Sequence, residues 1–169
     1  MTNGMRKGFI LAAIHLALVG SLGAKLLFDR AARPRVWART GPVDPNLPIR
    51  GRYVQLRIEG RASGEASGSW DWAPVTLRVD NGVLMFDRVD ESAGSDLRAR
   101  TTTATRDGER VVQLMQPLAY FIPEHVPDPS RRAPGEELWV EVTLPKAGPP
   151  RPIRLGVKKD GVLTPLDLD

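Results

Sequence analysis

The sequence predicts a mainly β protein: a small antiparallel β-barrel or sandwich preceded by a single N-terminal transmembrane helix. Three observations predict it. Residues 8–24 (GFILAAIHLALVGSLGA) carry no formal charge. Beyond residue 35, short runs alternate apolar and polar residues, and Asn-Gly or Asp-Gly dipeptides stand between neighbouring runs. Such dipeptides supply the positive φ that tight hairpins need. Finally, 15 prolines and 16 glycines oppose long helices outside the first segment.

The apolar segment comes first. Lys25 interrupts it, and Leu26, Leu27 and Phe28 extend it. At a rise of about 1.5 Å per residue, the helix reaches most of the way across a hydrocarbon core roughly 30 Å thick. Lys25 can snorkel to the headgroups. Arg6 and Lys7 form a short positive region before it, as in a signal peptide or an anchor. The steps ending at Ser21 (Val-Gly-Ser) and Ala24 (Leu-Gly-Ala) depart from an Ala-x-Ala cleavage site, so an uncleaved anchor is expected. Three parts follow: a cytoplasmic tip and anchor over 1–28, a juxtamembrane linker over 29–34 broken by Pro34, and a β-rich domain over 35–169. His15, a lone titratable group inside the span, is expected to be neutral and packed against a Ser or a partner helix.

The strands follow in order. Residues 35–39 (RVWAR) read as a first strand, and 41–48 (GPVDPNLP) as a rigid turn fixed by prolines. In 53–58 (YVQLRI), Val54, Leu56 and Ile58 share one face, with Tyr53, Gln55 and Arg57 on the other. Residues 61–69 (RASGEASGS) form a polar loop. Runs 75–79 and 83–86 flank Asn81-Gly82, runs 97–105 and 110–115 flank Asp107-Gly108, and runs 153–158 and 162–166 flank Asp160-Gly161. Each reads as a hairpin. Leu138, Val140, Val142 and Leu144 alternate inward, and Asp128 is placed to cap one helical turn starting at Pro129.

Composition narrows the chemistry. With no cysteine, disulfides, thiolate metal sites and cysteine nucleophiles are excluded. The net charge of +4 raises nucleic-acid binding, but the basic residues form no dense tract and no recognition motif, so none is expected. The most basic stretch, 25–39 (KLLFDRAARPRVWAR), follows the apolar segment and is placed to meet anionic headgroups of the lipid bilayer. Only His125 lies outside that segment, so a Ser-His-Asp triad would have to use it, and no Gly-x-Ser-x-Gly elbow is present. Lys146, Lys158 and Lys159 fall on turns or strand ends, away from an apolar pocket that would activate an amine. Glu136 with Glu137, or Glu124 with Glu141, could pair for glycoside hydrolysis, and surface charge explains them more simply. No metal, no cofactor and no catalytic residue are expected.

Residues 43–58 (VDPNLPIRGRYVQLRI) resemble the GDYXXLXY protein family, bacterial proteins named for that consensus. Val43-Asp44-Pro45, Arg50-Gly51, Tyr53 and Leu56 match its turn-into-strand pattern. Residues 120–124 (YFIPE), with Tyr120, Pro123 and Glu124, are similar to a second family segment, and the strand over 138–142 follows it. Arg52 stands where the consensus has Asp, and Ile58 where it has Tyr. The resemblance implies a membrane-associated protein of no established activity that accompanies a larger integral membrane protein. It places the β-domain on the outer side of the bacterial cytoplasmic membrane. The flanking charges argue the other way, since Lys25, Arg30, Arg33, Arg35 and Arg39 outweigh Arg6 and Lys7, but large domains translocate with little regard for them.

Two functions are weighed. The first is an accessory β-domain that binds or stabilises an integral membrane protein through Tyr53, Arg57 and Arg52. The second is an envelope-acting hydrolase or glycan-binding domain. Trp37, Trp70 and Trp72 gathered in one exposed groove opposite carboxylates would favour the second, and burial of the same tryptophans the first.

Overall fold

The computed structural model describes residues 3–41, 53–63, 69–106 and 108–168. The chain divides into two compact units, residues 1–33 and 34–169.

The first unit is one helix, α1 (Asn3–Ala32). Phe9, Ile10, Leu11, Ile14, Leu16, Leu18, Val19 and Leu22 are each at least 51% exposed, as are Leu27 and Phe28. A helix that is apolar all round and unburied is apolar and long enough to cross a membrane, with Lys7–Lys25 as its span. The polar side chains inside it turn to their own backbone. His15 Nδ1 lies 2.8 Å from the Leu11 carbonyl, and Ser21 Oγ donates to the Leu18 carbonyl at 2.8 Å. The helix continues through residues 29–32, which the sequence reading assigns to the linker. Ala31 and Ala32 favour helix, and the first residue able to stop it is Pro34, which disfavours α geometry at Arg33.

The second unit is built of ten strands: β1 (Arg35–Gly41), β2 (Tyr53–Ala62), β3 (Ala73–Asp80), β4 (Val83–Arg88), β5 (Arg98–Arg106), β6 (Glu109–Leu114), β7 (Leu118–Phe121), β8 (Glu136–Thr143), β9 (Arg151–Lys159) and β10 (Val162–Pro165). Mainly β architecture behind one apolar helix is what the sequence predicts. The expected antiparallel pairings form, β3 with β4, β5 with β6 and β9 with β10, and Asp107 of the middle turn lies outside the described residues. Asn81 and Gly82 adopt φ of 49° and 77°, and Asp160 and Gly161 adopt 49° and 83°. These are the paired left-handed positions of a two-residue hairpin turn.

Strand order runs β10-β9-β8-β1-β2-β4-β3-β5-β6, and β6 returns to pair with β2. The pairing β2-β4-β3-β5-β6-β2 is therefore a closed circuit, and β1, β8, β9 and β10 extend from it as a wing. Strand β2 serves both parts because its partner changes along its length. Residues Tyr53–Leu56 pair with β7, Arg57–Glu59 with β1, Glu59–Arg61 with β6, and Arg61 and Ala62 with β4. The β2–β4 contact is parallel, an exception to the expected antiparallel sheet. Gly60 makes it possible, since a Cβ there would strike the Leu84 carbonyl oxygen and come within 2.7 Å of the Phe86 ring.

Alternation places the core. Val54, Leu56 and Ile58 of β2 and Leu138, Val140 and Val142 of β8 are at most 8% exposed, and Leu144 follows inward at 7%. Ile58 is fully buried, at 0% exposed. At residue 128 the structure shows a turn in place of a helical turn. The Asp128 side chain accepts the Ser130 amide at 2.9 Å, and its carbonyl accepts the Arg131 amide at 3.3 Å. An Asx turn satisfies those donors locally, and Pro134 and Gly135 prevent a helix from propagating.

Candidate functional site

The reverse face of β2 carries Tyr53, Gln55, Arg57, Glu59 and Arg61. Tyr53, Gln55 and Arg57 lie opposite the apolar face as expected, yet this face is not open to solvent. Tyr53, Gln55 and Arg57 are half-buried, and Glu59 is buried at 8% exposed. The reason is lateral crowding, because β6 and β7 lie along one side and β1 along the other.

At one end, Tyr53 sits opposite Phe121 of β7, with ring centroids 6.0 Å apart and planes inclined at 58°. A tilted pair at this separation is an ordinary favourable aromatic contact. Phe121 is 77% exposed, the most exposed large apolar side chain recorded in the β-domain. Tyr120 points the other way and packs against the core, so the YF step of the second motif divides between the two faces. Pro123 and Glu124 are exposed beyond it, where Pro123 accepts the Val126 amide at 3.2 Å. Asp44, Pro45, Arg50, Gly51 and Arg52 lie outside the described residues. Leu56 is a core residue.

The other end of the face runs into a groove of about 890 Å³ between the circuit and the wing. Its floor is ionic. Arg39 reaches Glu59 at 3.4 Å and Glu137 at 3.2 Å. Gln113 Nε2 donates to Glu59 at 3.4 Å, and Arg100 donates to Gln113 at 3.1 Å. Trp139 Nε1 donates to Glu137 at 3.1 Å. A carboxylate held this way is an acceptor already occupied. Trp37 and Trp139 line the groove, but cations cover them: the Arg154 guanidinium stands 5.4 Å from the Trp37 centroid and Lys158 Nζ 4.7 Å from that of Trp139. Trp139 carries little sequence signal beyond its outward position in the LWVEVT alternation.

The three tryptophans weighed in the sequence are not gathered. Trp37 lines the groove half-buried, Trp70 is in the core at 5% exposed, and Trp72 is 59% exposed with φ of 56°. Of the paired carboxylates, Glu136 and Glu137 line the same groove but are each engaged by a cation, and Glu124 and Glu141 lie on different elements. Glu136 meets Lys159 at 3.5 Å, Glu141 binds Arg154 at 2.7 Å, and Glu124 is exposed on a turn. His125 is exposed on the same turn. On the β3–β4 hairpin, the Arg78 guanidinium donates to Asp80 at 3.0 Å and to Asp87 at 3.2 Å, and these carboxylates hold it above its ordinary pKa.

No family model, curated protein or solved structure matches this chain.

Proposed function

We propose that the protein is a membrane-tethered, non-catalytic binding domain that docks onto an integral membrane protein. The observation that carries this reading is the Tyr53–Phe121 pair, an aromatic anchor with Phe121 almost wholly exposed and Arg57 two pairs further along the same strand face. Aromatic and arginine side chains dominate the energetics of protein interfaces. Tethering strengthens the case. A domain held at the bilayer meets other membrane proteins at high effective concentration, so a small interface suffices. The resemblance to the GDYXXLXY family supports a membrane partner, a location at the bacterial cytoplasmic membrane, and a β-domain on its outer side.

The glycan-binding alternative draws on Trp37 and Trp139 beside Glu59 and Glu137. It is the weaker reading, because cations stand over both indoles and the carboxylates are engaged by Arg39, Gln113 and Trp139.

The test compares variants in native membranes solubilised in mild detergent. Tyr53→Ala with Arg57→Ala should reduce co-purification of a membrane protein while the β-domain keeps its fold by circular dichroism. His125→Ala should change neither. Abolition of the cellular phenotype by His125→Ala alone would refute the non-catalytic reading.

A further inference from the structure

Residues far apart in sequence meet where the chain enters the β-domain. The Leu144 amide donates to the Pro34 carbonyl at 3.1 Å. One residue on, Arg35 is opposite Thr143 of β8, and Thr143 is opposite Arg151 of β9. Neighbouring strands lie about 4.8 Å apart, so Arg35 and Arg151 flank Thr143 on one face within about 10 Å of each other. Lys146 lies in the segment between β8 and β9. All three cations are exposed. A hollow of about 370 Å³ beside Arg151 is lined by Pro145, Ala147, Pro149, Pro150 and the Gln116–Ala119 stretch, with no carboxylate among the described residues. The next carboxylate along that face of β8, Glu141, is engaged by Arg154 at 2.7 Å.

Pro34 and Arg35 also follow α1 directly in the chain. The apolar run of α1 ends at Phe28, and the helix continues to Ala32. Four residues at about 1.5 Å each rise roughly 6 Å, which is about the thickness of one headgroup layer. Pro34 follows two residues later. With the apolar run in the hydrocarbon, covalent connection alone brings Pro34 and Arg35 to the headgroup boundary.

We propose that Arg35, Lys146 and Arg151 form a composite basic surface that docks the β-domain onto anionic phospholipid headgroups. The tether then does not leave the domain free to swivel: lipid charge fixes which end faces the bilayer. An acidic protein is the other partner such charges could meet. Lipid is favoured because Arg35 follows the apolar helix directly in the chain and because proline and alanine flank the cations, which the headgroup layer tolerates. The inference rests on α1 lying in a bilayer and is independent of the docking role given to Tyr53 and Arg57.

The chain has no cysteine, so single labels can be introduced cleanly. Ala147→Cys marks the basic end. Val162→Cys marks the far end of the wing, where Glu136 pairs with Lys159 and β10 begins. The eight residues of β8 separate these ends by about 23 Å at about 3.3 Å per step. The full chain is placed in nanodiscs, and each fluorescent label is quenched by headgroup spin-labelled lipid. With phosphatidylglycerol present at low salt, the label at 147 should be quenched strongly and the label at 162 weakly. Each cation near an anionic surface contributes about 1 kcal/mol, about fivefold in the docking equilibrium. Arg35→Gln with Arg151→Gln should therefore weaken docking roughly 25-fold, and 1 M salt should release the unmodified chain, because screening then acts within about 3 Å. Equal quenching at 147 in purely neutral phosphatidylcholine, or no response to either the substitutions or salt, would overturn the proposal and leave anchor proximity as the whole effect. Weak quenching at 147 in anionic bilayers would overturn it too, and would return the patch to an acidic protein partner.

Discussion

Adding one methyl group at Gly60 attacks the point where the circuit closes. In Gly60→Ala the new Cβ meets the Leu84 carbonyl oxygen and lies 2.7 Å and 3.0 Å from two carbons of the Phe86 ring. Neither obstacle yields easily. One is backbone, and the other belongs to a side chain that is 0% exposed. Overpacking of this kind costs about 1–3 kcal/mol, and the rigidity of both neighbours puts Gly60 near the upper end. The smaller entropy of the alanine chain when unfolded returns about 0.4–1 kcal/mol. The net loss is about 2 kcal/mol. For a domain of this size each kcal/mol moves the midpoint by about 3–4 °C, so thermal unfolding followed by circular dichroism should show a drop of roughly 6–8 °C. Gly23→Ala in α1, where a Cβ meets nothing within 4 Å, is the control and should not lower the midpoint. A Gly60→Ala protein as stable as the parent would mean that β2 and β4 do not approach as described, and the closed pairing would fall with it.

Three further outcomes are expected. Residues 34–169 expressed without α1 should give β-rich circular dichroism and a cooperative melt, since the core residues all lie in that unit; a molten product would assign part of the core to the helix. Leu56→Ala, at a fully buried site, should cost about 2–5 kcal/mol in urea unfolding, whereas Phe121→Ala at 77% exposed should cost no more than the aromatic contact with Tyr53, about 0.5–1.5 kcal/mol. A reporter fused after Asp169 that is active only when exported should be active, and activity of a cytoplasm-only reporter there would reverse the proposed sidedness.

Local chemistry was legible in the sequence, and long-range pairing was not. Asn81-Gly82 and Asp160-Gly161 announced their hairpins because each turn requires positive φ at adjacent residues. Alternation in β2 and β8 assigned Val54, Leu56, Ile58, Val140 and Val142 to the core correctly. The return of β6 to β2 joins Gly60 to Val112, and the β1–β8 ladder joins Ala38 to Val140. Nothing local encodes such partners. The same limit applies to the candidate site. Tyr53 could be placed on the reverse face of β2 from periodicity alone, but its partner Phe121 and the ion pairs crowding Glu59 come from strands distant in sequence. The end of α1 at Ala32, beyond the expected boundary at Phe28, has a simpler cause: apolarity falls after Phe28, but no helix breaker occurs before Pro34.

The most direct test of the central claim is site-specific photo-cross-linking in intact membranes. A photoreactive aromatic amino acid in place of Phe121 should form a discrete adduct with an integral membrane protein, and that adduct should be lost when Tyr53→Ala and Arg57→Ala are present. The same probe in place of Val162, also well exposed at 66%, should give none. Absence of a protein adduct at 121, or an adduct that forms equally from 162 and survives the double substitution, would contradict the docking role of this face.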